Sequence, residues 1–291
     1  MRPGPAEAVR FLIQKLDLEA PPRPAVEMLA EIIIKNSWVD DTSAEEMAEK
    51  WLNTFLTRIQ TEISKAREDG RLVPFTLNSM SELHIQGTCF SEPKDSPREK
   101  EEKKRRSRLA RYYEFFAKIT PSEFEQLSGK ILTLFKAKEE FVTRGSGDQG
   151  IDFYGQVPFG SILKPSVIEP GAESQLNVWL VGQAKHYSSS QVSTSDIREL
   201  VGSIELARAK TYAGRADPLA NLSIRICDPV FYLFFTTGEI SRDGRNLLRK
   251  AGVVSMDGMQ LAAFLADHKV AIRKGQFSET ALRRWFRPRP R

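Results

Sequence analysis

The stretch GSGDQGIDFYG, residues 145–155, decides how the rest of the chain is read. Its first six residues carry the G-x-G-x-x-G spacing of a dinucleotide loop. Such a loop works only when its glycines open a helix whose N-terminus receives the pyrophosphate. Here they run into IDFYGQVP, where Ile151, Phe153 and Tyr154 favour a strand and Pro158 forbids a long helix. No acidic residue ends a second strand at the distance a ribose contact needs. The spacing therefore predicts a tight turn between two strands, with Asp148 in the turn and Asp152 on the strand after it.

A second stretch, WLVGQAKHY (179–187), gives Asp152 chemical company. In an extended strand Gln183 and Lys185 project from the same face. An amide oxygen and an ammonium side by side at the end of an apolar strand are odd companions for a core. Set beside Asp152 on a neighbouring strand, they make a hydrolytic site. Asp152 and the Gln183 amide oxygen suit Mg²⁺, a hard cation that prefers oxygen ligands. Lys185 is then placed to orient or polarise the attacking water, or to stabilise charge on a phosphate.

The flanking sequence alternates helix and strand patterns. ITPSEFEQLSGKILTLF (119–135) opens with Thr120 as cap, Pro121 at the first helical position and Glu123 completing a capping box. Phe124, Leu127, Ile131 and Phe135 form its apolar stripe. EEFVTR, IDFYG, NVWLVGQAKHY, VFYLFFTT and VVSM read as strands. SDIRELVGSIELARAK, SRDGRNLLRKAG and MQLAAFLADH read as helices. That order predicts a three-layer α/β domain around a central mixed sheet.

Composition narrows the function classes. With 41% hydrophobic and 28% charged residues the chain reads as an ordinary globular protein. Its longest strongly apolar run, 230–235, is far too short to span a bilayer, and the N-terminus lacks the apolar core of a secretory signal. Cys89 and Cys227 have no paired spacing and read as reduced thiols in a cytoplasmic protein. With only three scattered histidines, no zinc-like cluster emerges. The net charge of +5 is uneven. Residues 1–90 carry 10 Lys/Arg and 14 Asp/Glu, residues 91–108 carry 8 and 5, and residues 109–291 carry 25 and 19. The basic excess therefore falls on the second and third parts, which favours a polyanionic partner there.

The chain divides at SEPKDSPREKEEKKRRSR, residues 91–108, a charged linker or exposed charged helix. Residues 1–90 read as a small all-helical N-terminal domain without a chemical motif. Within it, Met47, Trp51, Phe55, Ile59 and Ile63 recur every four residues, and PAVEMLAEIIIKNSWV is a further helix. Its acidic balance argues against strong duplex binding and favours recognition or partner docking.

FEQLSGKIL, GSGDQGIDFYG, WLVGQAKHY, DIRELVGSI and FFTTGEISRDG…VVSMDGMQLAAFL, spread over roughly residues 111–268, occur in the order seen in Mrr-like (type IV) restriction endonucleases. The chain resembles that family, part of the PD-(D/E)xK nuclease superfamily. The resemblance implies a restriction-endonuclease-like nuclease domain over 109–291 that hydrolyses DNA with Mg²⁺, for which Mn²⁺ would substitute. It also implies a role in restricting foreign or modified DNA, as in phage defence. Carried over by position, Asp152 is the metal-binding aspartate, Gln183 takes the usual Glu position and Lys185 is the catalytic lysine. Glu125 matches an acid that many such nucleases add to the metal, although a first-turn acid also simply favours the helix dipole. Gln occurs at the Gln183 position within Mrr-type enzymes, but it removes one negative charge.

His186, Tyr187, Ser189 and Gln191 are candidates for lining the phosphate path, unless they form a plain polar loop. RRWFRPRPR (283–291), with five arginines in nine residues, is either a phosphate-contacting or a solubilising basic tail. Two departures from the family stand out. VPFGSILKPSVIEPGAESQ (157–175) is a longer connection than its strand pair needs, and the N-terminal domain does not match the winged-helix reader of some Mrr proteins. The alternatives are a degenerate DNA-binding module and an effector subunit activated by a defence-complex partner. Cutting both strands calls for two sites, so a homodimer, or a partner docked through the N-terminal domain, is expected.

Overall fold

In a computed structural model the described residues are 3–40, 42–143, 150–158, 177–187, 192–209, 219 and 221–287. They form two compact units, 1–109 and 110–291.

In the first unit, helices α1 (Pro5–Lys15), α2 (Ala25–Lys35) and α3 (Ala44–Glu68) pack together. Phe55 and Ile59 of the expected stripe are fully buried, while Met47, Trp51 and Ile63 pack against the core as half-buried neighbours. The helical region is thus present, but the unit is not helical throughout. It adds an antiparallel sheet in the order β1 (Arg23–Pro24), β3 (Ser81–Gly87), β2 (Phe75–Asn78), which contributes Phe75 and Ile85 to the core. These strands escape a period-two reading for a physical reason. β3 buries only its last three residues and β2 only its first, so neither alternates. The charged stretch becomes helix α4 (Pro97–Arg106), opened by a Ser96–Glu99 capping box and burying no residue. Its i,i+4 pairs Glu101–Arg105 (3.1 Å) and Glu102–Arg106 (2.7 Å) support a helix that has no apolar face.

The second unit contains α5 (Leu109–Phe116), α6 (Pro121–Ile131) with a 3-10 turn at Leu132–Phe135, and then β4 (Glu139–Val142), β5 (Phe153–Pro158) and β6 (Asn177–Lys185). Helix α7 (Thr194–Arg208), β7 (Val230–Thr236), α8 (Arg242–Ala251), β8 (Val254–Met256) and α9 (Gly258–Asp267) follow. The chain then forms a hairpin, β9 (Ile272–Arg273) with β10 (Gln276–Phe277), and a last helix, α10 (Glu279–Phe286). The sheet order is β4-β5-β6-β7-β8, antiparallel up to β6 and parallel beyond it.

The central strand β6 is buried at every position from 178 to 184, because helices cover both sides. On one face Ile197, Leu200 and Ile204 of α7 and Leu248 of α8 pack with Trp179, Val181 and Phe234. Burying each such side chain stabilises by roughly 1.5–3 kcal/mol. On the other face lies α6, and α9 joins it through the stacked Phe135 and Phe264 rings, 5.1 Å apart. Helix α6 approaches the sheet closely at Gly129, where a Cβ would stand 2.5 Å from Val142 Cγ2. The result is a three-layer α/β domain with a five-stranded mixed sheet.

Residues 283–286 of the expected basic tail are not tail. They close α10, where Leu282 and Phe286 are buried.

Candidate active site

Asp152, Gln183 and Lys185 meet where β5 begins and β6 ends. Trp179, Val181, Gln183 and Lys185 alternate along β6, so the two polar side chains continue the row that packs on α7. Asp152 is fixed through its backbone: its N–H donates to Gly182 O (3.0 Å), and its carbonyl accepts from Thr143 N (3.0 Å) and Thr143 Oγ1 (3.1 Å). Its carboxylate Oδ2 accepts from the Ala184 N–H at 2.6 Å, which sets it between Gln183 and Lys185 along the strand. Asp152 is 8% exposed and Gln183 2%.

The Gln183 Oε1 is buried and has no hydrogen-bond partner among the described residues. A lone buried acceptor costs about 1–3 kcal/mol, so evolution tolerates few of them. Beside a carboxylate, this acceptor makes a donor set that fits a hard divalent cation. Gly150, the last residue of the expected turn, has φ +83°, and a Cβ there would lie 2.5 Å from Ser203 Oγ and 3.5 Å from Gln183 Nε2. A glycine is required at this point, and the turn, the amide and α7 all crowd together there.

Lys185 Nζ stands 3.7 Å from Glu199 Oε2 of α7, whose side chain is 57% exposed. So loose and solvated a pair holds little energy and leaves the ammonium available. Asp196, one turn earlier on α7, is also part of this edge. Burial pushes its carboxyl up, yet hydrogen bonds from Ser193 and Tyr187 and the nearby Lys185 charge outweigh that and hold it below the usual carboxylate range. Burial, then the Asp196 charge, push the Tyr187 phenol up.

Tyr187 OH donates to Asp196 Oδ1 (3.1 Å), and the Tyr187 N–H donates to Thr237 Oγ1 (3.0 Å), binding the end of β6 to the segment after β7. His186 points to the opposite side of the strand. Its Nε2 is 3.0 Å from Phe116 O, and its ring meets Phe124 edge-on at 6.0 Å. Glu125 projects from α6 one turn before Gly129 and lines an open cleft together with Thr143. Thr143, which binds the Asp152 carbonyl, shares that cleft with Glu125, but Asp152, Gln183 and Lys185 do not line it. Ser189, Gln191 and Asp148 lie outside the described residues. Among the described residues no group of three His, Cys, Asp or Glu side chains is placed to hold a metal ion.

Sequence reasoning missed Asp196, Glu199 and Ser203. Their i, i+3, i+7 spacing puts a polar stripe on the amphipathic α7, which is the signal that could have found them.

A buried carboxylate, an unsatisfied amide oxygen and a lysine at one edge of a mixed, three-layer α/β sheet define a candidate hydrolytic centre. Residues 116–213 match the Mrr catalytic family model, described as a restriction endonuclease, and over that segment the chain is similar to that family. Two solved structures are similar to it. The MspJI restriction endonuclease in complex with a 27-mer oligonucleotide has 23% identity and a TM-score of 0.41, covering 68% of this chain and 39% of that one. The DNA modification-dependent restriction endonuclease AspBHI has 17% identity and a TM-score of 0.40, covering 69% and 44%. This chain therefore spans about two fifths of the length of each. No curated protein sequence matches it. No helix among the described residues is long and apolar enough to cross a membrane.

Proposed function

We propose that this chain is a Mg²⁺-dependent DNA endonuclease that restricts foreign or modified DNA, as in phage defence. The observation that carries the reading is the buried, partnerless Gln183 Oε1 beside the Asp152 carboxylate, with Lys185 next along the same strand face. In this reading Asp152 and Gln183 would hold the cation, while Glu125, on α6 across the sheet, lines the neighbouring cleft. When bound, Mg²⁺ supplies Lewis-acid stabilisation of the phosphate and a more acidic water. Lys185 directs its ammonium at the scissile phosphate or the attacking water, where charge develops. Asp152 keeps its orientation because Ala184 N–H occupies Oδ2 and Thr143 clamps its carbonyl.

Residues 1–90 act in target recognition or partner docking, and cutting both strands uses a homodimer or a defence-complex partner. The two free thiols, Cys89 buried and Cys227 exposed, suit a cytoplasmic setting. The neutral amide of Gln183 favours one rival, a DNA-binding module that no longer cleaves. Incubating plasmid DNA with the full chain and Mg²⁺ or Mn²⁺ tests the proposal. Linear or nicked product in the wild type, lost with chelator and in Asp152→Ala, is expected. Binding without any cleavage by the wild type would favour the rival.

A further inference from the structure

Beside the candidate centre, α6, the β9–β10 hairpin and α10 enclose a cleft of about 1610 Å³. Small-molecule sites fill roughly 300–1,000 Å³, so this one is sized for a longer ligand. Its charged lining is Lys130, Arg273, Arg284 and Arg287 against Glu125 and Glu140. Lys130 is paired with Glu140 (2.6 Å), and Arg287 reaches Glu123 at 3.3 Å. Arg273 and Arg284 differ: both are exposed, and neither has a carboxylate within 4 Å among the described residues. Two guanidinium groups are thus presented to the cleft without an ion-pair partner among the described residues.

They are also rigidly mounted. Phe277 and Phe286 pack edge-on against Phe115 at 6.5 and 6.1 Å, Arg283 stacks on the Phe115 ring at 5.0 Å, and Arg283 also pairs with Glu123 of α6 at 2.7 Å. Thr143 closes the wall nearest the centre, where its hydroxyl is bound to the Asp152 carbonyl.

We infer that this cleft seats the sugar-phosphate backbone of the DNA substrate, with Arg273 and Arg284 each neutralising a phosphate. The inference rests on the nuclease reading and deepens it. The C-terminal hairpin and helix lie beyond the matched residues 116–213 and are assigned the task of holding the strand against the scissile site. Guanidinium is the group for it, since its planar donor fork matches phosphate oxygens.

The test measures binding of a fluorescein-labelled duplex to the full chain by anisotropy, in chelator and over a range of salt concentrations. Arg273→Gln with Arg284→Gln removes two phosphate contacts. The slope of log affinity against log salt should then shrink by about 1.8, and affinity at 0.1 M salt should fall by tens of fold. Arg242→Gln with Lys250→Gln removes the same charge from exposed positions of α8 outside the cleft, and should leave the slope unchanged. Arg273→Lys with Arg284→Lys keeps the charge and should restore most of the slope, which a merely structural role would not. Equal slopes in the glutamine variant and the α8 control would overturn the inference, as would displacement of the duplex by polyglutamate as readily as by unlabelled duplex. Cleavage with Mg²⁺ is scored separately. Cleft-dependent binding without cleavage sinks the nuclease reading and spares the cleft, whereas cleavage with unchanged slopes does the reverse.

Discussion

Each of the two units buries a glutamine in a strand, and the two are treated in opposite ways. In the first unit Gln86, 1% exposed, donates from Nε2 to Glu92 Oε1 (2.6 Å) and accepts from Asn78 Nδ2 at Oε1 (2.7 Å). Glu92 in turn accepts from Ser79, so the buried carboxylate is well partnered. In the second unit Gln183, 2% exposed, leaves Oε1 without a partner among the described residues, next to the Asp152 carboxylate. A satisfied buried network holds a fold together, while an unsatisfied acceptor beside a carboxylate is a cost retained for something outside the chain. On the proposed reading, the same residue type serves structure in one unit and chemistry in the other.

The largest expected effect lies on the chemical side. Lys185→Ala should lower the DNA cleavage rate about 10²- to 10⁴-fold, the range for loss of a positioned proton-transfer or charge-stabilising group. Its pair with Glu199 is long and solvated, so the melting temperature should stay close to wild type. Cleavage retained near the wild-type rate would remove Lys185 from the site.

The two glutamines can then be set directly against each other. Gln86→Leu strands the Glu92 carboxylate and the Asn78 amide, and should destabilise the chain by about 1–3 kcal/mol, read by chemical denaturation. Gln183→Leu removes an acceptor that already has no partner, so it should be neutral or stabilising without metal. Adding Mg²⁺ should raise the melting temperature of the wild type and not of Gln183→Leu, because a cation bound only by the folded state stabilises it. Equal destabilisation by the two substitutions would erase the contrast.

Gly150→Ala should cost a further 1–2 kcal/mol or so, from a positive φ combined with a 2.5 Å approach to Ser203 Oγ. Because Gln183 Nε2 lies on the same side, cleavage should fall more than stability does. A fully active, stable variant would show that the turn has room to move.

The positions of the candidate residues on their strands were easier to read from the sequence than the surroundings. Strand periodicity put Gln183 and Lys185 on one face, and β-branched and aromatic residues made 153–158 a strand that begins just after Asp152. Glu125 was named from the family resemblance, but only the Gly129 contact shows which way that part of α6 faces. The polar edge of α7 went unread because the apolar stripe of Ile197, Leu200 and Ile204 dominated the segment. The β9–β10 hairpin was invisible for a simpler reason: its strands are two residues each, too short for a periodic signal, and Phe277 packs on Tyr112 and Phe115 of α5. For α10 itself, the arginines of 283–291 masked the Leu282–Phe286 spacing that buries one face.

The smallest effect tests how α10 is held. Glu123 caps α6 at Thr120 and also pairs with Arg283 (2.7 Å) and Arg287 (3.3 Å). The Thr120 backbone hydrogen bond first, then the two arginines, outweigh burial and hold its carboxyl below the usual range. A carboxyl depressed in the folded state contributes its stability above the unfolded value, and that contribution is lost as pH falls through the folded one. Docking of α10 should therefore weaken only on acidification below the ordinary carboxylate range, with no change between pH 6 and 8. Glu123→Gln separates the two roles, since glutamine still serves in a capping box but carries no charge for the arginines. The expected cost is about 1 kcal/mol or less, as for other partly exposed pairs. Hydrogen exchange of the α10 amides should lose much of its acid dependence in that variant. An undiminished acid response would place the titrating group elsewhere, whereas a flattened one would tie the cleft wall to a single carboxylate on α6.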